Sequence, residues 1–212
     1  MINRMLCRMN NQKIVPDQNS WEPWSPGELS RRLSHASKPW CVVGGWAIDL
    51  WLGAKTREHE DLEFTILRED LDIFRHVLNV NHMEFYSVSD GVIERLAADQ
   101  EPQMETSQIW CFDRPAECWR VDMMIESGTD ENWVYKRDKQ ITRQRNEMVL
   151  LTVDGIPYLN PSAVLLFKAK YLRPKDEDDF ARALPGLPPS ERLWLRNCLD
   201  RLHPGHTWAS ML

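Results

Sequence analysis

Hydrophobic residues come in short runs, or alternate with polar ones, along the first 160 residues of the chain. The runs at 40–43, 83–88, 109–112 and 119–125 have the length and the content of aromatic and branched residues that are typical of strands. Segments between them repeat their hydrophobic residues at helical spacing. This pattern predicts a domain in which strands and helices are mixed.

After residue 160 the pattern is helical throughout. Asn160-Pro161 predicts a capped helix that stops before Pro174, and two further helices follow. The first residues are polar and show no periodicity, which predicts a loose arm. We therefore expect an arm at 1–20, a domain at 21–160 and a helical part at 161–212.

Two connections within the middle domain have recognisable local patterns. Residues 91–98 predict a short helix, whereas residues 148–159 predict a hairpin around Asp154-Gly155. An Asp-Gly pair between two hydrophobic runs favours a tight turn.

The composition excludes several classes of protein. Of the 212 residues 42% are apolar, which supports a hydrophobic core, and no stretch approaches the ~20 apolar residues of a membrane span. The net charge of −6 argues mildly against nucleic acid as the main substrate and suits a neutral or cationic small molecule. The five scattered cysteines form no C-x-x-C pair, and the N-terminus resembles no signal peptide, so we expect a cytoplasmic protein with free thiols.

The most informative stretch joins a buried strand, a glycine turn and a strand with two acids. Gly44-Gly45 opens a predicted helix at Trp46, which offers backbone N–H groups to an anion. Asp61 and Glu63 lie two apart on a predicted strand over 60–67, and therefore on one face. Two neighbouring carboxylates repel each other unless a cation lies between them. A cation and a polyanion together indicate a metal–nucleotide site.

A third acid, Asp122, lies in the middle of an apolar predicted strand. Burial of an unpaired acid is unfavourable, and a salt bridge with Arg120 on the same face would compensate it without any function. Three carboxylates also suit phosphoryl chemistry, because Mg²⁺ prefers oxygen ligands and two ions can hold the attacking and leaving oxygens. Asp61 and Glu63 would then bridge two Mg²⁺ ions. Asp122 would bind the second ion or accept the proton of the attacking hydroxyl.

Several charged residues near these acids allow two interpretations each. Arg57 either contacts a phosphate or pairs with Glu58 or Glu60, and His59 is expected to orient Asp61. The five bases between 136 and 145 suit either a phosphate-rich partner or a solvated connection. Most of the ten tryptophans are expected in the core, and one or two in an acceptor pocket.

Lys168 is the candidate cation of the helical part. It lies two residues from Lys170 on a predicted helix, so at most one of the two faces the site. Lys168 either reaches a triphosphate or extends to solvent. Asp176 and Asp179 have helical spacing, and they either orient Lys168 or form a solvated face.

Together these residues resemble the signature of the nucleotidyltransferase superfamily. The matching residues are Gly44-Gly45-Trp46-Ala47-Ile48-Asp49, Gly53, Thr56-Arg57 and His59-Glu60-Asp61-Leu62-Glu63. The similarity is greatest to the aminoglycoside and lincosamide nucleotidyltransferases, in the aminoglycoside-2''-adenylyltransferase-like branch, over about residues 38–125. A weaker similarity continues over 157–180.

The resemblance implies an α+β fold with a mixed sheet, a helical C-terminal part and two Mg²⁺ ions. The implied reaction moves a nucleoside monophosphate, expected to be AMP from ATP, to a hydroxyl of a small molecule such as an antibiotic. The implied nucleotide-binding residues are Gly44, Gly45, Trp46, Arg57 and Lys168, and the implied metal ligands and catalytic residues are Asp61, Glu63 and Asp122. The oligomeric state stays open.

One position departs from the family pattern. The second acid is commonly Asp but here is Glu63, whose extra methylene moves the carboxylate by on the order of 1.5 Å. A displacement near 1 Å can reduce a rate by about a hundredfold.

Two alternatives therefore stay open. A toxin-like nucleotidyltransferase acting on RNA or protein would turn the basic run at 136–145 toward the active cleft. A catalytically inactive nucleotide-binding module would keep the fold, with Glu63 as the sign of a degraded site.

Overall fold

A computed structural model describes residues 15–79 and 82–212, and a mixed β-sheet lies at its centre. The strands of this part of the chain are β1 (Trp40–Val42), β2 (Glu63–Leu67), β3 (Met83–Ser89), β4 (Val92–Arg95), β5 (Gln108–Asp113), β6 (Cys118–Glu126), β7 (Asn132–Val134), β8 (Thr142–Gln144), β9 (Val149–Leu151) and β10 (Pro157–Leu159). Eight of them form one sheet in the spatial order β4-β3-β5-β6-β2-β1-β10-β9, and β7 pairs separately with β8. Within the large sheet β2–β6 and β1–β10 are parallel and the other pairs are antiparallel.

Helices precede, interrupt and follow these strands. In the described residues the α-helices are α1 (Pro26–Arg32), α2 (Gly44–Leu52), α3 (Leu71–Leu78), α4 (Arg145–Met148), α5 (Pro161–Lys168), α6 (Pro174–Ala183) and α7 (Pro189–Leu202), with short 3₁₀ turns at Arg68–Asp70, Leu184–Gly186 and Thr207–Ser210. The last three α-helices follow the last strand. The predicted α+β class, with a mixed sheet and flanking helices, is confirmed.

Side chains alternate between the two faces of the sheet. On β2 and β6, Phe64, Val121 and Met123 are buried in the main hydrophobic cluster. Glu63 and Asp122 occupy the intervening positions and therefore point to the opposite face. The acids of the predicted site thus lie on the face away from the main core.

A second, aromatic cluster covers the outer part of that opposite face. Its buried members are Tyr86, Ile93, Phe112 and Trp119, and half-buried Trp21, Val88 and Trp110 pack around them. A bulge after Cys111 brings Trp119 opposite Phe112 on the neighbouring strand. This cluster and the acids therefore share one face of the sheet.

Residues 91–98 do not form the predicted helix, because Val92–Arg95 is the strand β4. Asp90 and Gly91 have φ angles of 50° and 78° and form a two-residue turn between β3 and β4. Such a turn needs positive φ at both positions, which Asp-Gly favours. The strands of the predicted hairpin at 148–159 are confirmed as the antiparallel pair of β9 and β10.

The helices after residue 160 share the main hydrophobic cluster with the sheet. Leu165, Phe180 and Leu195 belong to the same cluster as Ile48 of α2. α5 ends at Lys168, several residues before Pro174, because residues 169–171 form a turn and Leu172 has a φ of 31°. The division of the chain at residue 160 stays a prediction.

Most of the predicted N-terminal arm, residues 1–14, lies outside the described residues. Farther along, Trp119 N donates to Ser20 O at 2.8 Å, and Glu22 N donates to Trp119 O at 3.0 Å. The indole Nε1 of Trp119 also donates to Asp17 O at 2.7 Å. The chain is therefore bound to β6 from residue 17 onward.

No helix in the described part of the chain is long and apolar enough to cross a membrane. Cys41, Cys111, Cys118 and Cys198 are buried free thiols. Cys7 lies outside the described residues.

The cap of α5 gives a test of this architecture. Asn160 Oδ1 accepts hydrogen bonds from Ser162 N at 3.0 Å and Ser162 Oγ at 2.8 Å, and Nδ2 donates to Glu147 O at 3.2 Å. We expect Asn160→Ala to lower the free energy of unfolding by about 2 kcal/mol in urea denaturation, because buried partners lose their hydrogen bonds. The exposed cap of α1 is the control, and Ser25→Ala should cost no more than about 1 kcal/mol. Equal losses would contradict the prediction.

Candidate active site

Glu63 and Asp122 lie side by side on two parallel strands. β2 begins at Glu63, whose Cα partner on β6 is Asp122. Asp61 is exposed and precedes the strand, which corrects the prediction that the strand begins at residue 60. Leu62 between the two acids is buried, so the alternation of side chains continues and Asp61 stays close to Glu63.

Asp122 is buried and only half satisfied. Its Oδ2 accepts a hydrogen bond from Gln108 Nε2 at 2.8 Å, whereas Oδ1 has no partner among the described residues. Burial and the charge of Glu63 raise the pKa of Asp122 well above its ordinary value, and hydrogen bonds from Gln108 and Trp110 oppose this only in part. A buried oxygen without a partner is available to a ligand or a proton.

Arg120 does not neutralise Asp122. Its Nε lies 3.1 Å from Asp113 Oδ2, and its Nη1 lies 3.3 Å from Glu22 Oε2. The predicted alternative of an Arg120–Asp122 salt bridge is therefore wrong.

Glu63 packs closely against the glycine turn. A side chain at Gly44 would overlap Glu63 Oε2, so only glycine leaves room for the carboxylate. Burial and the charge of Asp61 raise the pKa of Glu63 to about 7, although the charges of Lys168 and Arg173 oppose the shift. A carboxyl in this state is stabilised by any cation that comes near.

The glycine turn presents an open helix N-terminus. Gly44 has a φ of +64°, which residues with a side chain rarely adopt, and it opens α2 two residues before the predicted start. No side chain of the described residues caps this nine-residue helix. Its first N–H groups are therefore available to an anion.

Arg57 lies directly against Gly45, where an added Cβ would overlap its Nη2. Nε and Nη2 both donate to the carboxylate of Asp179 at 3.0 Å, and Nη1 donates to Glu58 O at 3.0 Å. The predicted alternative pairing with the carboxylates of Glu58 or Glu60 is wrong, because the partner comes from α6. The phosphate contact of Arg57 stays a prediction.

His59 pairs with Asp49 and not with Asp61. Its Nε2 lies 2.7 Å from Asp49 Oδ2, and its ring stacks on Trp46 with centroids 4.3 Å apart. Burial lowers the pKa of His59, and the hydrogen bond to Asp49 only partly opposes this. The indole Nε1 of Trp46 is buried without a partner among the described residues, so this candidate nucleotide-binding residue has an unused donor.

Lys168 is buried rather than extended to solvent. Its Nζ lies 2.8 Å from Asp176 Oδ1 and 3.0 Å from Asp179 Oδ2. The two aspartates therefore hold the lysine, as one of the two interpretations predicts. Burial raises the pKa of Asp176, but hydrogen bonds with Arg173 and Lys168 outweigh it and lower the pKa to about 2.

Two cations at the start of α6 were not predicted. Arg173 Nε lies 2.8 Å from Asp176 Oδ2, and Lys175 Nζ lies 3.1 Å from Glu60 Oε2. The positive charges of both also act on Glu63. In the sequence, only their position beside Asp176 set these two cations apart. That position does not reveal that the start of α6 packs near Asp61 and Glu63.

Two cavities open on the acids. The smaller, of about 60 Å³, lies between the glycine turn, Asp61, Glu63 and four cations, which are Arg57, Lys168, Arg173 and Lys175. The larger, of about 410 Å³, is also lined by Glu63 and continues past Trp133, Phe167 and Tyr171. The two cavities together offer a place for an anion beside an aromatic chamber.

The basic run at 136–145 is divided between two roles. Lys136 and Arg137 line the larger cavity. Arg143 and Arg145 form ion pairs with glutamates elsewhere in the chain. The run therefore does not form one continuous cationic surface along the cleft.

The three predicted metal ligands fit a cation that binds together with a nucleotide, whose phosphates supply the other ligands. No group of three or more His, Cys, Asp or Glu side chains within 15–79 and 82–212 forms a ready-made metal site. Glu63 and Asp122 nevertheless adjoin, and Asp122 Oδ1 lacks a partner. Mg²⁺ needs only one or two carboxylates when phosphates supply other ligands. Asp61, Glu63 and Asp122 stay the predicted ligands.

A sequence profile of the family described as aminoglycoside-2''-adenylyltransferase matches residues 28–155, more than half of the chain. The chain belongs to this family. It is a nucleotidyltransferase, as the sequence signature predicts. A comparison with curated protein sequences found no match.

Solved structures with this fold include the antibiotic-resistance factor ANT(2'')-Ia. Its solution structure is 14% identical, with a TM-score of 0.54 over 82% of this chain and 89% of that one. Its crystal structure with adenylyl-2''-tobramycin is 13% identical, with a TM-score of 0.55 over 82% and 95%. A lincomycin-bound lincosamide antibiotic adenylyltransferase, LnuA, is 15% identical, with a TM-score of 0.49 over 74% and 92%. The likeness to ANT(2'')-Ia establishes the fold alone.

The contact between Gly44 and Glu63 predicts that no side chain is tolerated at residue 44. Gly44→Ala should weaken Mg²⁺-dependent nucleotide binding by at least about tenfold in calorimetry, because the methyl group displaces Glu63 and strains the turn. Gly27→Ala is the control, since nothing lies within 4 Å of a Cβ added there. Equal binding by the two variants would show that the turn adapts.

The raised pKa of Glu63 predicts an unusual pH dependence. Its pKa of about 7 exceeds the ordinary 4.5. At a pH between these two values, the folded state therefore binds more protons than the unfolded state. The free energy of unfolding without metal should therefore fall as the pH rises through this window.

Glu63→Gln should remove that part of the pH dependence. We expect the metal-free variant to melt above the wild type by about 4 °C at about pH 8, and Mg²⁺ to stabilise only the wild type. Glu131→Gln, at an exposed position, should behave as the wild type. Stabilisation of Glu63→Gln by Mg²⁺ equal to that of the wild type would contradict the role of Glu63.

Proposed function

We propose that this protein uses Mg²⁺ to transfer AMP from ATP to a hydroxyl of a small molecule, such as an antibiotic. The observation that supports this most is the adjacent pair of Glu63 and Asp122 beside the uncapped N-terminus of α2. The acids favour a cation and the helix N-terminus favours an anion. A Mg²⁺–nucleoside triphosphate supplies both at once.

The cations of the smaller cavity suit the triphosphate. Arg57 and Lys168 are held in place by Asp179 and Asp176, so little conformational freedom is lost when phosphate binds. Arg173 is more exposed and can turn toward a ligand. The aromatic side chains of the larger cavity then suit the nucleobase, because planar rings stack on them.

In the proposed reaction the acceptor oxygen forms a bond to the α-phosphorus. The bond from that phosphorus to the pyrophosphate oxygen breaks, and the hydroxyl proton passes to Asp122 Oδ1 or to water. Mg²⁺ held by Asp61 and Glu63, and also by Asp122 where water takes the proton, would neutralise charge on the phosphates. Lys168 and its neighbours stabilise the leaving pyrophosphate, since positioning and charge neutralisation supply most of the rate in such transfers.

The glutamate at position 63 is compatible with this function. Because Gly44 has no side chain, the turn leaves room for the longer Glu63, which still lines both cavities. The extra methylene is therefore accommodated at the turn, and the charge of Glu63 still acts on Asp122. This argument favours an active enzyme over a degraded site.

The test measures nucleotide binding and transfer separately. Calorimetry with a non-hydrolysable ATP analogue should show binding that requires Mg²⁺. Mass spectrometry should then detect AMP on an acceptor from a panel that includes lincomycin, tobramycin and bulk tRNA, with release of pyrophosphate. Asp61→Asn combined with Glu63→Gln should reduce transfer by at least about a hundredfold, whereas Glu131→Gln should not.

Three outcomes would overturn the proposal. Absence of Mg²⁺-dependent nucleotide binding would reject the site itself. Binding without transfer to any acceptor would favour an inactive nucleotide-binding module. Transfer to tRNA alone, lost on charge reversal of Lys136 and Arg137, would favour the toxin-like alternative.

A further inference from the structure

Trp110 adjoins Asp122 on the side away from Glu63. It is the Cα partner of Asp122 on β5, just as Glu63 is the partner on β2. Its indole is close enough to lower the pKa of Asp122 in part, and its side chain is only half buried. One part of its surface is therefore free to contact a bound molecule next to the carboxylate.

The direction of attack places the acceptor on this side. The four cations that suit the pyrophosphate line the smaller cavity together with Glu63, whereas Asp122 does not line it. Because Glu63 lies on β2, this cavity opens on the β2 side of Asp122. In an in-line displacement the attacking oxygen approaches opposite to the leaving oxygen. The acceptor therefore approaches across β6 and β5, where Trp110 lies.

The aromatic surface at this position is rigid. The rings of Trp21 and Trp110 meet edge to face with centroids 5.1 Å apart, and both pack on fully buried Trp119. The backbone around Trp21 is hydrogen bonded on both sides to Trp119 of β6. A surface fixed in this way binds a ligand with little loss of side-chain entropy.

The carboxylates on the strands nearest Asp122 are already paired, and so is that of Glu22 beside Trp21, which lies 3.3 Å from Arg120. Beyond Asp122, the described carboxylates on β3, β5 and β6 are Glu84, Asp113 and Glu126. Glu84 pairs with Arg95 and Arg114. Asp113 pairs with Arg120, and Glu126 pairs with Arg145. The side chain that adjoins Asp122 with Trp110 is the neutral Gln108. Several ammonium groups buried against these strands would lose water, and only Asp122 would be free to pair with them.

We propose that Trp110 and Trp21 bind the acceptor, and that the acceptor is a hydroxyl-bearing ring compound with at most one positive charge. The ring packs on the two indoles, and its hydroxyl reaches Asp122. This inference rests on the proposed nucleotidyl transfer and adds the chemical class of the acceptor. It also selects two of the ten tryptophans as specificity-determining residues.

The experiment measures acceptor binding to the complex of the full chain with Mg²⁺ and a non-hydrolysable ATP analogue. The probes are lincomycin, which carries a single basic amine, and tobramycin, which carries several. We expect lincomycin to bind more tightly, with a Kd that changes less than about twofold between about 50 and 300 mM salt, because few charges take part. Trp110→Ala and Trp21→Ala should each weaken lincomycin binding by at least about tenfold.

Matched variants separate acceptor binding by the two tryptophans from effects on folding and from the influence of the Trp110 N–H on Asp122. Trp51→Ala removes a half-buried tryptophan that lies against Gly186 and should leave lincomycin binding unchanged. Trp110→Phe loses the N–H but keeps an aromatic ring on which the acceptor can pack. It should therefore retain most of the lincomycin affinity that Trp110→Ala loses. Trp21→Ala and Trp51→Ala, which alter no neighbour of Asp122 on the sheet, should keep the nucleotide affinity of the wild type within about twofold.

Failure of this inference differs from failure of the proposed function. Loss of Mg²⁺-dependent nucleotide binding would reject the function. With that binding intact, the inference is overturned by absence of lincomycin binding or by tighter, strongly salt-dependent binding of tobramycin. Unchanged lincomycin affinity in Trp21→Ala and Trp110→Ala would overturn it as well.

Discussion

Two carboxylates on adjacent parallel strands repel each other most when water is excluded from them. The pairing of β2 with β6 fixes Glu63 and Asp122 in this relation, and no described arginine or lysine forms an ion pair with either. The protein therefore keeps an unfavourable arrangement that a bound cation would relieve. Such stored unfavourable energy is typical of functional sites rather than of stable cores.

The surrounding charges are arranged around this pair without cancelling it. Lys168 and Arg57 line the cleft, and ion pairs with Asp176 and Asp179 of α6 hold both side chains in position. A cation tied in this way still attracts an anionic ligand while its position is set in advance. The glycine turn completes the cleft with backbone donors, which need no counter-ion at all.

The sequence predicts those features that depend on short segments. The glycine turn, the acids around Glu63 and the capped helix after residue 160 each follow from neighbouring residues. The partner of Arg57 and the role of Arg173 could not be predicted, because both depend on where α6 packs. The tryptophan next to Asp122 could not be chosen either, since strand register is invisible in an unaligned sequence. The helix expected at 91–98 failed because an Asp-Gly turn outweighed a weak helical pattern.

The strand that leads into the glycine turn also constrains when the cleft can form. β1 pairs with β2 nearby in sequence, but on its other edge it pairs with β10, so that Val42 lies beside Tyr158, about half the chain away. Contacts so distant in sequence form late, because a long loop must close first. A chain emerging from the ribosome therefore carries its acids long before it acquires Lys168. The proposed nucleotide site can therefore be assembled only after α5 and α6 have been synthesised and packed against the sheet.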